Sequence, residues 1–364
     1  MKEKVEYNWD RLEFLIRELR EAHPVVLRDM NQFPRFLKNV QPAVREVNHD
    51  KRCRCGKEVD VKDKLDNRKQ KPTALLILLL SIGIGVAVAS GAGVFFRGEP
   101  VTKPAVSTRD ERYEYRDSGV YRYTAEQVVA EGVGWDIVTL GLAVPAFFLT
   151  VIRFLSLLRK NKPYLHLRLL LAGILFYFLY QYLEYAMYWA FGPLFPLHVF
   201  LFSASLCGII SLIKDVEIDQ LPAQFETSFP LKGIAVLSGF VGVVLLLMWV
   251  PFVAEALQGK IEGKLYGSTT LVVQAMDLGL VVPLAFWTAF SSWKKHPVGY
   301  LLSFVVGVKG ILMGAALCAM LLNVWSTMGK LEAVPLVLFG GVTLASAYLL
   351  LRIYRSYRHI SVEA

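Results

Sequence analysis

Residues 277–325, DLGLVVPLAFWTAFSSWKKHPVGYLLSFVVGVKGILMGAALCAMLLNVW, contain two apolar runs hinged on Lys294, Lys295 and His296. Each run can supply the roughly 20 residues of helix that cross about 30 Å of hydrocarbon. Neither alternates apolar and polar residues with a period of two, so both read as helices, not as strands of a barrel. The stretch is a transmembrane hairpin with a basic turn. Lys309 lies inside its second arm, between Gly307 and Gly310.

The same pattern extends in both directions. Candidate spans run approximately over 73–96, 134–158, 165–187, 193–213, 232–254, 274–292, 298–322 and 334–353. The chain is 54% hydrophobic and only 20% charged, and its apolar residues fall in long blocks, which excludes an ordinary soluble composition. The expected fold is all-α, a polytopic bundle of about eight transmembrane helices. The expected organisation is a polar cytoplasmic region at 1–72, a first helix at 73–96 and an external loop at 97–133. A seven-helix core at 134–354 and a tail at 355–364 complete it.

Basic residues give the orientation. Lys69 and Lys71 precede the first span, Arg159, Lys160 and Lys162 follow the second, Lys294 and Lys295 the sixth, and Arg352, Arg355 and Arg358 the eighth. Alternation over eight spans puts all of them on one side, which the positive-inside rule makes the cytoplasm. A multi-pass cell-membrane protein with both termini cytoplasmic is expected. The same bias accounts for the net charge of +9 without nucleic acid as a partner. Trp135, Trp189, Trp249, Trp287, Trp293 and Trp325 fall near span ends, where an aromatic belt places them.

The first 72 residues begin with an amphipathic pattern in which Trp9, Leu12, Leu15, Ile16 and Leu19 recur at helical spacing. It reads as a helix packed on the cytoplasmic loops, or as one that lies in the interface or docks a protein partner. Cys53 and Cys55 are separated by one residue, with no second Cys or His pair to complete a zinc site. Cys207 and Cys318 read as small buried hydrophobes. No cleavable leader is expected, since the first long apolar block starts near residue 73. No sequence signature calls for a cofactor or a metal, and nothing resembles a phosphate loop.

Spans 2 and 6 echo one another. LAVPAFFLTVIRF is followed by RKNKPY, and LVVPLAFWTAF by KKHPVGY. Each has an Asp toward its outer end (Asp136, Asp277) and a proline within (Pro145, Pro283), but the Asp-to-Pro spacing is nine residues in one and six in the other. A parallel repeat of spans 2–4 and 6–8, with span 1 as an addition, is one reading, and chance likeness of two outside-to-inside helices is the other.

The stretch DLGLVVPLAFWTAFSSWKKHPVGYLL with Lys309 after it, and YFLYQYLEYA with GPLFPLHVFLFSASL across spans 3 and 4, resemble patterns in prokaryotic polytopic membrane proteins of uncharacterised role. The resemblance covers roughly residues 134–325. It implies no substrate or reaction, only that Asp277, Pro283, Lys309 and Glu184 belong to recurring patterns.

Ionisable groups inside spans are costly, and by default they mark pathways or sites. Tyr177, Tyr180, Gln181, Glu184 and Tyr188 share a helical stripe on span 3, and His198 opens span 4 at similar depth. Asp136, Asp277 and Glu255 are expected near outer span ends, where they either join a common vestibule or stand wet as caps. Lys309 must pair with a carboxylate, snorkel or lose its proton. A structural bridge and a coupling role stand level for it. Arg153 and Arg168 are expected to snorkel to headgroups.

The leading function read from these residues is a secondary transporter or permease of a small solute, ion or lipid. The candidate pathway residues are Lys309, Glu184, His198, Asp277, Asp136, Tyr180, Gln181 and Glu255. A non-catalytic membrane subunit, assembly factor or sensor is the second reading. An intramembrane enzyme acting on a lipid or quinone-like molecule through Glu184 and His198 is the third, so an enzyme is disfavoured. Membrane lipids are the expected partners, with a protein partner through residues 1–72. Oligomeric state is not fixed by the sequence.

Overall fold

The computed structural model describes residues 72–160 and 164–357. The amphipathic pattern near Trp9 and the Cys53–Cys55 pair lie outside them. Eight of the described helices are long and apolar enough to cross a membrane. They are α1 (Pro72–Phe95), α2 (Glu126–Arg159), α3 (Leu165–Tyr188), α4 (Phe195–Ile213), α5 (Leu231–Leu257), α6 (Val272–Trp293), α7 (Pro297–Met328) and α8 (Ala333–Arg355). Arg159, Lys160, Lys294, Lys295, Arg352 and Arg355 sit at one end of the bundle, here the basic end. The loops 96–125, 189–194, 258–271 and 329–332 close the opposite, loop end.

Two of the helices are interrupted in the same way. In α2, residues Thr139–Ala143 form a π turn, and the Val144 N–H donates to the Thr139 carbonyl five residues back. In α6, Asp277–Val281 form the second π turn, with the Val282 N–H donating to Asp277. A proline follows each after a single valine, Pro145 after Val144 and Pro283 after Val282. Proline lacks an N–H and crowds the carbonyl four residues before it, and a widened turn relieves both problems. The repeated unit is therefore TLGLAVP against DLGLVVP. Thr139, and not Asp136, corresponds to Asp277, six residues before the proline in both copies. The unequal Asp-to-Pro spacing read from sequence came from matching the wrong residue.

The longer unit differs as well. α3 packs along α4 as α7 packs along α8, and α1 and α5 each pack beside the interrupted helix that follows them. The likeness thus extends to α1–α4 against α5–α8, with α1 in the place of α5 and not an addition.

α3 is the hub. Its most apolar stretch is 72% buried, against 39% or less in every other span, so its polar side chains face protein and not lipid. It crosses α7 where Gly173 meets Val308 and the Phe304 carbonyl. α2 crosses α7 even more closely, since a Cβ on Gly134 would lie 2.6 Å from Met320 Cα. Small residues at such crossings let helix backbones approach in the absence of a hydrophobic drive between helices. Asn323 on α7 adds a clamp, its Nδ2 donating to the Ala130 carbonyl at 2.6 Å.

The loop end is built, not loose. An antiparallel hairpin, β1 (Thr102–Val106) and β2 (Arg112–Arg116), stands between α1 and α2. Arg116 forms a bidentate ion pair with Glu126 in the first turn of α2. The hairpin turn reaches the α5–α6 loop through Glu111. Its carboxylate accepts the N–H groups of Leu265, Tyr266 and Gly267 at 3.2, 3.1 and 3.2 Å. Tyr266 and Gly267 both have positive φ (49° and 83°), which turns consecutive N–H groups into one concave anion seat. Glu111→Ala leaves those three donors without their acceptor, a loss on the order of 2 kcal/mol for a bond to a charged group. The expected result is faster amide exchange confined to 102–116 and 259–267, with exchange in α3 unchanged.

Several residues sit differently from their sequence reading. α2 begins at Glu126, not near 134, because Glu126 and Glu131 are used by the hairpin and a cavity. Cys207 is exposed on the outer face of α4, not buried, and Cys318 is half-buried. Arg168 does not snorkel. Its Nε and Nη2 donate to the Leu212 carbonyl at 3.1 and 2.6 Å and cap the last turn of α4. Trp287, Trp293 and Trp325 face outward, while Trp135 is fully buried and Trp249 turns its indole N–H inward.

Candidate functional site

The polar stripe of α3 serves two separate centres, one on each flank. Each faces one of the π turns.

The first centre surrounds Asp136. Its carboxylate accepts the Tyr121 hydroxyl, the Tyr185 hydroxyl at 3.2 Å and Gln181 Nε2 at 3.4 Å. Thr139, first residue of the α2 π turn, places Oγ1 2.9 Å from Gln181 Oε1 and 2.8 Å from the Tyr177 hydroxyl. Trp135 donates to that same hydroxyl at 3.0 Å. Burial, then the neighbouring Asp136 carboxylate, hold the Tyr121 phenol well above its ordinary pKa, so it stays a donor. α1 covers the group at Gly93, where a Cβ would collide with Asp136 and Tyr121. His198 lies beside Tyr182 and Tyr185, with ring centroids 5.7 and 5.3 Å away. Asp136 is ten residues inside α2, about 15 Å from its start, because the helix continues well beyond the span expected from sequence. It is satisfied and sealed, a knot that ties α1, α2 and α3 together.

The second centre surrounds Asp277, which opens the α6 π turn. Its carboxylate accepts Tyr180 Oη at 2.7 Å and Trp249 Nε1 at 2.8 Å. Lys309 comes from α7, with Nζ 3.4 Å from the centre of the Tyr180 ring and 5.5 Å from that of Phe176. That position over an aromatic face is a cation–π contact. The Nζ makes no hydrogen bond, and among the described residues it has no carboxylate within ion-pair distance. It feels the charges of Asp277 and Glu184 from further off. Of the two readings that stood level for Lys309, the structural bridge is absent among the described residues. Glu184 also has no hydrogen bond or ion pair among the described residues, whereas Glu131, one helical turn inside α2, accepts Gln127 Nε2 at 2.8 Å.

Between these groups lies a cavity of about 360 Å³. Glu131, Glu184, Asp277, Tyr180 and Lys309 give it a polar end, and apolar side chains of α5, α6, α7 and α8 form most of the remaining wall. The volume falls in the range of small-molecule sites, about 300–1,000 Å³. Lys330 and Glu332 line it at the loop end. Tyr266 is close by, its phenol pushed above the ordinary value by burial and then by the charges of Glu131, Glu111 and Glu332. Lys309 lies twelve residues into α7, about 18 Å from its basic end, so the cavity extends deep into the membrane zone.

The eight sequence candidates therefore do not form one vestibule. Asp277, Tyr180, Glu184 and Lys309 line the cavity. Asp136 and Gln181, with His198 beside them, belong to the sealed knot. Glu255 joins neither. It is half exposed at the loop end, paired with Lys264 at 2.9 Å. Sequence reading missed Glu131, Thr139, Trp249 and Tyr121. Glu131 carried a signal, at helical spacing between Gln127 and Trp135, once α2 is extended toward its N-terminus, and Thr139 carried another, six residues before Pro145 in TLGLAVP as Asp277 is before Pro283 in DLGLVVP. Among the described residues no group of three His, Cys, Asp or Glu side chains is placed to hold a metal ion. No protein-family model, curated protein or solved structure matches the chain.

Proposed function

We propose that the protein is a secondary transporter whose site is the cavity at Lys309. The observation that carries this reading is a buried ammonium, unpaired among the described residues, on the wall of a space deep in the membrane zone. An unpaired charge there costs several kcal/mol, which a purely structural lysine has no reason to retain. The α6 π turn supports it, since broken helices in transporters expose backbone and polar groups at the substrate site. The site is asymmetric, with Lys309 and three carboxylates at its deep polar end, Lys330 and Glu332 at its loop end and a long apolar wall, which suits a substrate with both polar and apolar parts.

The competing readings fare less well on the same geometry. An enzyme using Glu184 and His198 needs them together, but they lie on different flanks of α3, and His198 does not line the cavity. A scaffold subunit has no need of an open polar cavity. On the positive-inside rule the basic end is cytoplasmic, so the hairpin and the Glu332 end of the cavity face outward. In that orientation a protein partner meets residues 1–72 on the inner side.

Alternating access is the test. With cysteine at position 309 in a background without the four native cysteines, a membrane-impermeant thiol reagent is applied to intact cells and to inverted vesicles. Labelling from both faces is expected. Labelling from one face only removes transport and leaves a blind site, and silence from both faces leaves a structural role.

A further inference from the structure

We infer that the cavity takes a lipid-like amphiphile with a zwitterionic head, its ammonium toward Glu184 and Glu131 and its phosphate toward Lys309, and its tail between α5 and α8. The inference rests on the reading of this cavity as a substrate site.

The head is specified by what is left unpaired. Asp277 is already satisfied by Tyr180 and Trp249. Lys309 Nζ has no hydrogen bond and Glu184 has none among the described residues, yet both line the same space, and Lys309 is 92% buried. One basic and one acidic group, buried and without hydrogen bonds among the described residues, are together complementary to one molecule with both charges. A simple anion would satisfy Lys309 but face Glu184 and Glu131, and a simple cation would leave Lys309 bare. A phosphate oxygen and a primary ammonium offer the acceptors and donors that the two groups lack.

The tail is specified by the wall. α5 and α8 touch near the basic end, where Gly233 sits against Leu349. Further along, Leu237, Phe240 and Val244 of α5 and Leu338, Phe339 and Val342 of α8 border the one cavity. Phe240 is 47% exposed, and the neighbouring α8 residues Val334 and Val337 are 80% and 76% exposed, so this flank faces hydrocarbon. A chain lying between the helices buries apolar surface on both, while its head reaches Lys309.

The full-length protein in mild detergent is incubated with phosphatidylethanolamine, phosphatidylglycerol or free phosphoethanolamine, and bound molecules are counted by native mass spectrometry. Phosphatidylethanolamine is expected to be retained about tenfold better than phosphatidylglycerol (about 1.4 kcal/mol) and not displaced by phosphoethanolamine. Lys309→Met and Glu184→Gln are each expected to abolish that preference. Val342→Trp, on the wall, is expected to block retention while leaving both charges in place. Equal retention of the two lipids, indifference to all three variants, or displacement by the free headgroup would overturn the inference. Selective retention in a protein whose position 309 is reached from one face only would keep the inference and discard transport. Two-face labelling without lipid selectivity would do the reverse.

Discussion

Lys309→Met gives a protein that melts higher than the wild type and no longer binds its substrate. The ammonium is deep in the membrane zone without a hydrogen bond, and its one close interaction is with the Tyr180 ring. That contact is worth roughly 0.5–2 kcal/mol. Replacing a buried ion pair by well-packed hydrophobes is often neutral or stabilising by about 1–4 kcal/mol, and a buried charge without a hydrogen bond or close ion pair has less still to lose. Methionine suits the exchange, being unbranched and able to fill an irregular space. The expected readout is a thermal midpoint several degrees above wild type in the same detergent, with loss of ligand-induced stabilisation. A lowered midpoint would show that Lys309 holds the bundle together. Trading stability for a functional charge is a pattern seen where a site must stay unsatisfied until its ligand arrives.

Gly134→Val has the opposite character and a larger effect on folding. A Cβ at position 134 meets the Ala319 carbonyl oxygen at 2.5 Å and Met320 Cα at 2.6 Å, both backbone atoms of α7. Overpacking against movable side chains costs about 1–3 kcal/mol, and backbone atoms cannot swing aside. The whole α2–α7 crossing has to open, and with it the placement of Glu131 at the cavity and of Thr139 and Asp136 in the knot. The expected result is loss of the monodisperse peak in size-exclusion chromatography. Gly91→Ala is the control, because nothing lies within 4 Å of a Cβ there, and it should elute as wild type does.

The spans were legible because length and apolarity are properties of a run of residues, and 277–325 shows both. Their ends were less so. Glu126 and Glu131 argued against membrane for residues that are helical, since a single sequence cannot show Arg116 reaching Glu126 or a cavity beside Glu131. The candidate residues illustrate the same limit. Helical spacing put Tyr177, Tyr180, Gln181 and Glu184 on one stripe, but a stripe this wide meets different neighbours along its two edges. Tyr177 and Gln181 meet the α2 π turn, and Tyr180 meets the α6 π turn. Asp136 and Asp277 looked equivalent because both are acidic and both precede a proline. The equivalence that geometry supports is Thr139 with Asp277; the shared LGL and VP residues mark it in the sequence, but the paired aspartates drew the alignment elsewhere until the π turns fixed it. Glu255 was placed with them by depth alone, and depth says nothing about which way a side chain points.

One polar centre is open to water and the other is sealed. Hydroxyl-radical footprinting of the unmodified protein in lipid tests it directly, because oxidation follows contact with water. Met313 and Trp249 line the cavity beside Lys309, whereas Tyr177 and Tyr182 are fully buried on the flank of Asp136 and His198. Oxidation is expected at Met313 and Trp249, with Tyr177 and Tyr182 untouched. Equal protection of all four would contradict it, and would make Lys309 part of a dry core.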